Sequence, residues 1–98
     1  MTEVFLEQDG TRYTVQCTGH ATGSVETCAA ISCLLYTLAG WLENSGCTLL
    51  HEQLEAGDAL IQFTGGAKAK TAFEMICIGF LQLEEQSEDC MDVEFRTD

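Results

Sequence analysis

Two short segments in which apolar and polar residues alternate open the chain. A period of two is typical of half-buried β-strands. The apolar positions that share one face are Val4, Leu6, Tyr13, Val15 and Cys17. Between the segments lies Asp9-Gly10, a dipeptide favoured in tight hairpin turns. The pattern therefore predicts a β-hairpin over about the first 18 residues.

The apolar period then changes to that of an α-helix. The residues that recur at helical spacing are Ile31, Leu34, Leu35, Leu38 and Leu42. Ser24 or Thr27 can cap the start of this helix, and Glu26 suits its first turn. Gly46 suits its end.

The second half of the chain predicts two further strands, a second helix and a closing strand. Residues 49–54 predict a weak strand and residues 59–64 a stronger one, with a turn at Ala56-Gly57-Asp58. Residues 68–85 then predict a second helix, and residues 91–96 a closing strand. The element order is ββαββαβ, and no linker or internal repeat divides residues 1–98, so one domain is expected.

The predicted second helix is apolar nearly all round. A helix that covers one sheet face needs only one apolar stripe. We therefore expect a second covered surface, against the first helix or another subunit, and a homodimer is the simplest expectation. The predicted fold class is α+β: a two-layer sandwich with a mainly antiparallel sheet and two helices on one face.

Composition narrows the class of partner. The hydrophobic content of 46% excludes intrinsic disorder, and no apolar run reaches the roughly 18 residues of a membrane span. Acidic residues outnumber basic ones by 16 to 4, and the net charge is −12. Nucleic-acid binding needs a basic patch, and this sequence has none. Direct binding of DNA or RNA is therefore improbable. A basic peptide or protein is the expected partner, and no membrane partner is expected.

The chain contains six cysteines: Cys17, Cys28, Cys33, Cys47, Cys77 and Cys90. No basic segment followed by an apolar run opens the chain, so a secretory signal is not expected. Cys28, Cys33 and Cys77 lie among apolar neighbours in helical patterns, as small buried residues do. These observations favour reduced thiols and a cytoplasmic location over a disulfide framework.

Cys28 and His20 are the candidate catalytic residues. Cys28 lies near the start of the first helix, where the helix dipole stabilises a thiolate, the form that attacks carbonyl groups. His20 lies eight residues earlier, in a loop that can fold back towards the thiol. Ser32 lies one turn after Cys28 and could donate a hydrogen bond near it. The structural alternatives are a buried packing cysteine, an exposed loop histidine and a helix-packing serine.

A metal site is the less favoured chemistry. Cys17, His20, Cys28 and Cys33 include zinc-ligand residue types, but paired C-x-x-C knuckles are missing. His51 lies in a polar stretch and is interpreted as a surface residue. No phosphate-binding loop, serine elbow or H-E-x-x-H motif occurs. We expect neither a metal nor a cofactor.

The order strand, Gly-His-Ala, glycine-containing loop and Cys-Ala-Ala-x-Ser resembles the ribosomal-processing cysteine protease (Prp) family. The matching residues are Gly19, His20, Ala21, Cys28, Ala29, Ala30 and Ser32. The element order, chain length and acidic character match over essentially the whole chain.

The resemblance implies a cytoplasmic, homodimeric bacterial endopeptidase with His20 and Cys28 as the catalytic pair. The implied substrate is the N-terminal extension of a precursor of large-subunit ribosomal protein number twenty-seven, or a phage structural protein. The loop that covers bound peptide would contain Gly19, Ala21, Gly23 and Ser24. The N–H groups of Cys28 and Ala29 would be the oxyanion donors.

Two departures from the family pattern define the alternative. Val25 stands where the family usually has an aspartate, three residues before the cysteine, and Glu26 is the nearest carboxylate that could replace it. The loop from His20 to Cys28 is also several residues shorter. The alternative is a non-catalytic, acidic, dimeric module that binds basic peptides or ribosomal proteins without cutting them.

Overall fold

The computed structural model describes residues 1–19, 25–87 and 89–98. Its elements follow the predicted order ββαββαβ: β1 (Thr2–Asp9), β2 (Arg12–Thr18), α1 (Val25–Ser45), β3 (Thr48–Glu55), β4 (Asp58–Thr64), α2 (Ala67–Gln86) and β5 (Met91–Thr97). Every predicted element is present, and its ends differ from the predicted ones by no more than a few residues.

The five strands form one sheet in the order β3-β4-β2-β1-β5. β1 pairs with β2, β2 with β4 and β3 with β4, all antiparallel, whereas β5 runs parallel to β1. The prediction of a mainly antiparallel sheet is confirmed. The central place of β2 matters for function, because the chain leaves its end at Thr18 for the residues that precede α1.

The core lies between one face of the sheet and the two helices. Alternate residues of the central strands point into it: Val4, Leu6, Tyr13, Val15, Cys17, Ala59, Ile61 and Phe63 are all buried. The helices contribute Ile31, Leu35, Leu38, Leu42, Phe73, Ile76 and Phe80. The α+β sandwich with both helices on one face is therefore confirmed, and the period-two and helical patterns are its cause.

The two helices run antiparallel and approach closely at Gly79. The Oγ1 atom of Thr27, near the start of α1, lies 3.0 Å from the Oγ atom of Ser87, just after the end of α2. A Cβ atom at Gly79 would lie only 2.7 Å from Cδ2 of Leu34. Glycine at this position therefore permits the helix–helix contact that the apolar second helix predicted.

The start of α1 corrects one sequence-based interpretation. Thr27 was considered as a helix cap, but it lies inside the helix, is buried, and its hydroxyl hydrogen-bonds with that of Ser87. α1 begins at Val25, two residues before Thr27. Ser24, the other candidate cap, lies outside the described residues.

α1 also corrects the expectation that no segment is long and apolar enough to cross a membrane. It has 21 residues and an 18-residue window of mean hydropathy 1.4, so by length and composition alone it meets that criterion. The core helix of a globular domain meets the same criterion. In this fold Ile31, Leu35, Leu38 and Leu42 of α1 are buried against the sheet and α2.

Candidate active site

A cavity of about 150 Å³ lies beside Cys28, where three parts of the chain meet. The first turns of α1 form one wall, the end of β2 a second, and the turn between β3 and β4 a third. Its lining residues are Thr2, Cys17, Gly19, Cys28, Ile31, Ser32, Leu35, Glu55, Ala56, Gly57, Asp58 and Ala59. Cys28 is partly exposed here, so its thiol is accessible to a small ligand.

The position of Cys28 follows from the local sequence. It is the fourth residue of α1, and it is partly buried and packs against the core. The positive end of the helix dipole acts within the first turn. Reactive cysteines in proteins often lie at such helix N-termini.

A second cysteine lines the same cavity but is unsuited to nucleophilic chemistry. Cys17 is buried on β2, and loss of solvation raises the pKa of its thiol to about 12. Burial, together with the negative charge of Glu74, raises the pKa of Cys77 on α2 to about 12 as well. Both remain thiols near neutral pH. Of the two cysteines in the cavity, only Cys28 is then a candidate nucleophile.

Of the residues predicted to support Cys28, Ser32 lies in the cavity, whereas Glu26 is exposed to solvent. Ser32 lies one turn beyond Cys28 and lines the same cavity. Glu26 is exposed in the first turn, and the exposed fraction of Val25 is 82%. Because α1 begins at Val25, helical bonding directs the Ala29 N–H to the Val25 carbonyl. An oxyanion role for Ala29 would require this bond to open, and that role stays a prediction.

The histidine of the predicted pair, with three residues of the predicted substrate loop, lies outside the described residues. These are His20, Ala21, Gly23 and Ser24. The structure nevertheless fixes the two ends of the segment that contains them. Gly19 donates a hydrogen bond from its N–H to the Gly57 carbonyl at 2.9 Å, and Val25 opens α1. Both ends lie close to the Cys28 cavity.

Gly19 itself requires glycine for two reasons. Its φ of +85° lies in the left-handed region, which residues with a Cβ rarely adopt. A Cβ atom would also collide with the Met1 carbonyl oxygen. The residue immediately before His20 is therefore held in a conformation that other residues resist.

The structure also shows the positions of Cys33, Cys77 and His51, and it tests whether metal-ligating side chains come together. Cys33 is exposed, and its Sγ lies 4.0 Å from Oγ1 of Thr37, so the expectation that it is buried is wrong. Cys77 is buried as expected, and His51 is exposed as expected. Within residues 1–19, 25–87 and 89–98, no three metal-ligating side chains come together.

A larger cavity, of about 370 Å³, lies between α1 and α2 at the opposite end of the helix pair. It is lined mainly by apolar residues, among them Trp41, Ala72 and Met75. No cysteine, histidine or carboxylate is among the described residues that line it. This cavity is better suited to bind an apolar surface than to catalyse a reaction. We therefore place the candidate active site at the smaller cavity.

Thiol labelling tests the assignment of Cys28. Brief exposure to iodoacetamide near neutral pH should alkylate Cys28 first, because of its accessible position in the first turn of α1. Cys17 and Cys77 should remain unmodified, since thiols with a pKa of about 12 form almost no thiolate there. Peptide mapping by mass spectrometry would give the order. Exposed Cys33 is the internal control, and faster labelling at Cys33 would contradict the assignment.

The fold and the cavity together define the kind of protein: an α+β sandwich with a cysteine in the first turn of the helix that follows the N-terminal hairpin. Comparison with solved structures shows that this is the fold of the ribosomal processing protease Prp. The S. aureus Prp bound to a covalently linked product peptide superposes with a TM-score of 0.82, at 15% identity over 97% of this chain and 99% of that one. The S. aureus Prp bound to a substrate peptide gives 0.75, at 12% identity over the same shares.

A third solved structure, SMU.848 from Streptococcus mutans, has a TM-score of 0.79 and 24% identity over 100% of this chain and 99% of that one. No protein-family sequence model matches the chain, and neither does any curated protein. The resemblance read from a few residues is therefore confirmed at the level of the fold.

Proposed function

We propose that this protein is a cysteine endopeptidase that cuts a peptide segment bound at the Cys28 cavity. The observation that supports the proposal best is the position of Cys28: the first turn of a helix, at a cavity, in the fold of a peptide-binding protease. Cys17, the other thiol in the cavity, is held protonated by burial. Among the described residues of the cavity, Cys28 is thus the thiol available for attack, and the cavity has space for one substrate group.

In the proposed mechanism, His20 accepts the proton of the Cys28 thiol. The thiolate attacks the scissile carbonyl carbon, so a C–S bond forms and the carbonyl oxygen becomes an oxyanion. Collapse of this intermediate breaks the C–N bond, and the amine leaves with the proton from His20. Water then hydrolyses the thioester and releases the carboxylate product, which restores the thiol. Neither a metal nor a cofactor takes part.

The proposed substrate is the N-terminal extension of a large-subunit ribosomal protein precursor, or a phage structural protein, in the bacterial cytoplasm. This rests on the resemblance of the Gly19 to Ser32 region to the Prp family and on charge. Ribosomal proteins are basic as a class, whereas this chain has a net charge of −12. Opposite charges raise the rate of association and make it fall with salt.

Incubation of the purified protein with a candidate ribosomal-protein precursor, followed by mass spectrometry, tests the proposal. We expect one new N-terminus and its complementary fragment. A Val25→Asp variant run in parallel should cut faster, because the site is exposed and a carboxylate there could orient His20. If wild type and Val25→Asp both bind the precursor and neither cuts it, the protease proposal fails. The acidic binding module would then be the better description.

We also propose that the protein is a homodimer through the outer side of the helix layer. Met75 and Ile78 on α2 are 67% and 55% exposed, and Tyr36 on α1 is 62% exposed, although all three are large and apolar or aromatic. The apolar cavity between the helices opens on the same layer. Exposed apolar surface of this kind usually marks an interaction site.

Light scattering at micromolar concentration measures the oligomeric state. Wild type should have twice the mass of the chain, and Ile78→Glu should be monomeric because it places a charge in the interface. Leu50→Glu is the matched control, since Leu50 is similarly exposed but lies on β3. A monomeric wild type would remove the dimer proposal and leave the protease proposal in place.

A further inference from the structure

The wall of the Cys28 cavity that faces α1 is acidic. It is formed by the turn between β3 and β4, and both Glu55 and Asp58, which end and begin those strands, line the cavity. They pair directly across the two antiparallel strands. Directly opposite positions place their side chains on the same face, and like charges there are destabilising.

The turn that holds these carboxylates is fixed relative to Cys28. Oδ2 of Asp58 accepts a hydrogen bond from Nε2 of Gln53 at 3.1 Å. The Gly57 carbonyl accepts one from the Gly19 N–H at 2.9 Å, at the end of β2. The β2–β4 register also places Asp58 opposite Thr18. Two adjacent strands therefore position the acidic wall at the cavity.

None of the four basic residues of the chain neutralises this wall. Arg12 pairs with Asp9, at 3.1 Å, and Arg96 pairs with Asp98 and Glu7. Lys68 and Lys70 lie in the first turn of α2, and neither lines the cavity. In the part of the chain that the structure describes, no salt bridge includes Glu55 or Asp58. A cation supplied by a ligand would relieve their repulsion.

We propose that Glu55 and Asp58 select a peptide with a lysine or arginine side chain close to the scissile bond. This rests on the proposed protease function and names the substrate feature that its site prefers. A cavity of about 150 Å³ can hold a group about the size of benzene, so it takes a single side chain. The aliphatic part of that side chain would contact Ile31 and Leu35, and its charge would lie between the two carboxylates.

The preference is measured with pairs of peptides that carry lysine or its uncharged isostere norleucine. The pair is placed in turn at each of the positions flanking the scissile bond, and kcat/KM is determined for each. At one position lysine should raise kcat/KM by about tenfold, as a charge-assisted hydrogen bond in a partly exposed site does. Asp58→Asn and Glu55→Gln should each lower this ratio, and the double variant should bring it close to one.

Glu52→Gln is the matched control. It removes one negative charge from the same strand, but Glu52 does not line the cavity, so the lysine-to-norleucine ratio should not change. Raising the salt concentration should reduce the wild-type ratio. A wild-type ratio near one at every position, or a ratio that Asp58→Asn and Glu52→Gln leave equally high, would overturn the proposal while the enzyme still cuts.

If no peptide is cut, the proposed function fails and the same peptides still test the wall. Isothermal titration of wild type then compares the affinities of the lysine and norleucine members. A lysine preference of severalfold that Asp58→Asn removes and Glu52→Gln keeps would support the acidic wall as a cation-selective binding site. Equal affinities for both members would overturn it.

Discussion

Replacing Cys28 by alanine should lower kcat/KM for peptide cleavage by about 1,000-fold or more, because the substitution removes the thiol that forms the acyl intermediate in the proposed mechanism. His20→Ala should have a loss of similar size. Without His20 the proposed transfer of the thiol proton to the leaving amine cannot take place. Discontinuous assays with mass-spectrometric detection can follow rates this low.

The double variant separates a catalytic pair from two independent contributions. If His20 and Cys28 act as a unit, the double variant should be no slower than Cys28→Ala alone. If the loss of kcat/KM in the double variant equals the product of the two single losses, the residues do not act as a pair. Cys33→Ala is the control, since Cys33 lies on the same helix but is exposed and does not line the cavity. It should cut at the wild-type rate.

Peptide affinity should survive both substitutions. The other described residues that line the cavity, on α1, β1, β2, β4 and the turn between β3 and β4, are unchanged by the substitutions. Cys28→Ala should therefore hold uncut substrate, and the complex should weaken with salt because the chain is strongly acidic. Loss of binding in Cys28→Ala would indicate that the substitution disturbs the cavity rather than the chemistry.

The elements of this fold were predictable because their patterns are local. Val4 and Leu6 on β1, and Tyr13 and Val15 on β2, alternate with polar residues and are buried in the structure. The helices show their own period equally clearly. Only the ends were inaccurate: β3 begins one residue earlier than predicted, and Thr27 lies inside α1 instead of capping it.

The sheet order was beyond what these patterns can predict. β5 lies parallel to β1 although the whole chain separates them, and β4 lies next to β2 across an intervening helix and strand. Such pairings depend on which apolar faces fill the core together, and no local pattern contains that information. These long-range strand pairings determine where the candidate site forms, since they bring the turn between β3 and β4 to the end of β2.

Part of the candidate site was predictable because helical spacing is a local pattern. Cys28 and Ser32 lie one helical turn apart, so their shared side of α1 followed from the sequence. Glu55 and Asp58 were missed because they are distant from Cys28 along the chain, and no local pattern relates their turn to it. The one available signal was two acidic residues flanking Ala56-Gly57, directly before the strongly apolar strand β4.

The largest expected loss of stability follows from Phe73→Ala. Phe73 on α2 is 1% exposed and lies between two other rings, with centroids 5.0 Å from that of Tyr13 and 6.3 Å from that of Phe95. Deleting a fully buried phenylalanine costs about 3–5 kcal/mol, because apolar contacts are lost and a cavity remains. A domain of this size has a free energy of unfolding of about 5–15 kcal/mol, so much of its stability depends on this side chain.

Phe95→Ala is the matched control for this substitution. It removes the same side chain from the same aromatic cluster, but Phe95 is 52% exposed at the edge strand β5. We expect a cost of about 1 kcal/mol, which lowers Tm by roughly 4–8 °C in a domain of this size. Phe73→Ala should lower Tm by at least about 12 °C on the same scale. Equal losses in urea or thermal unfolding would show that the core is not centred on the contact between α2 and β2.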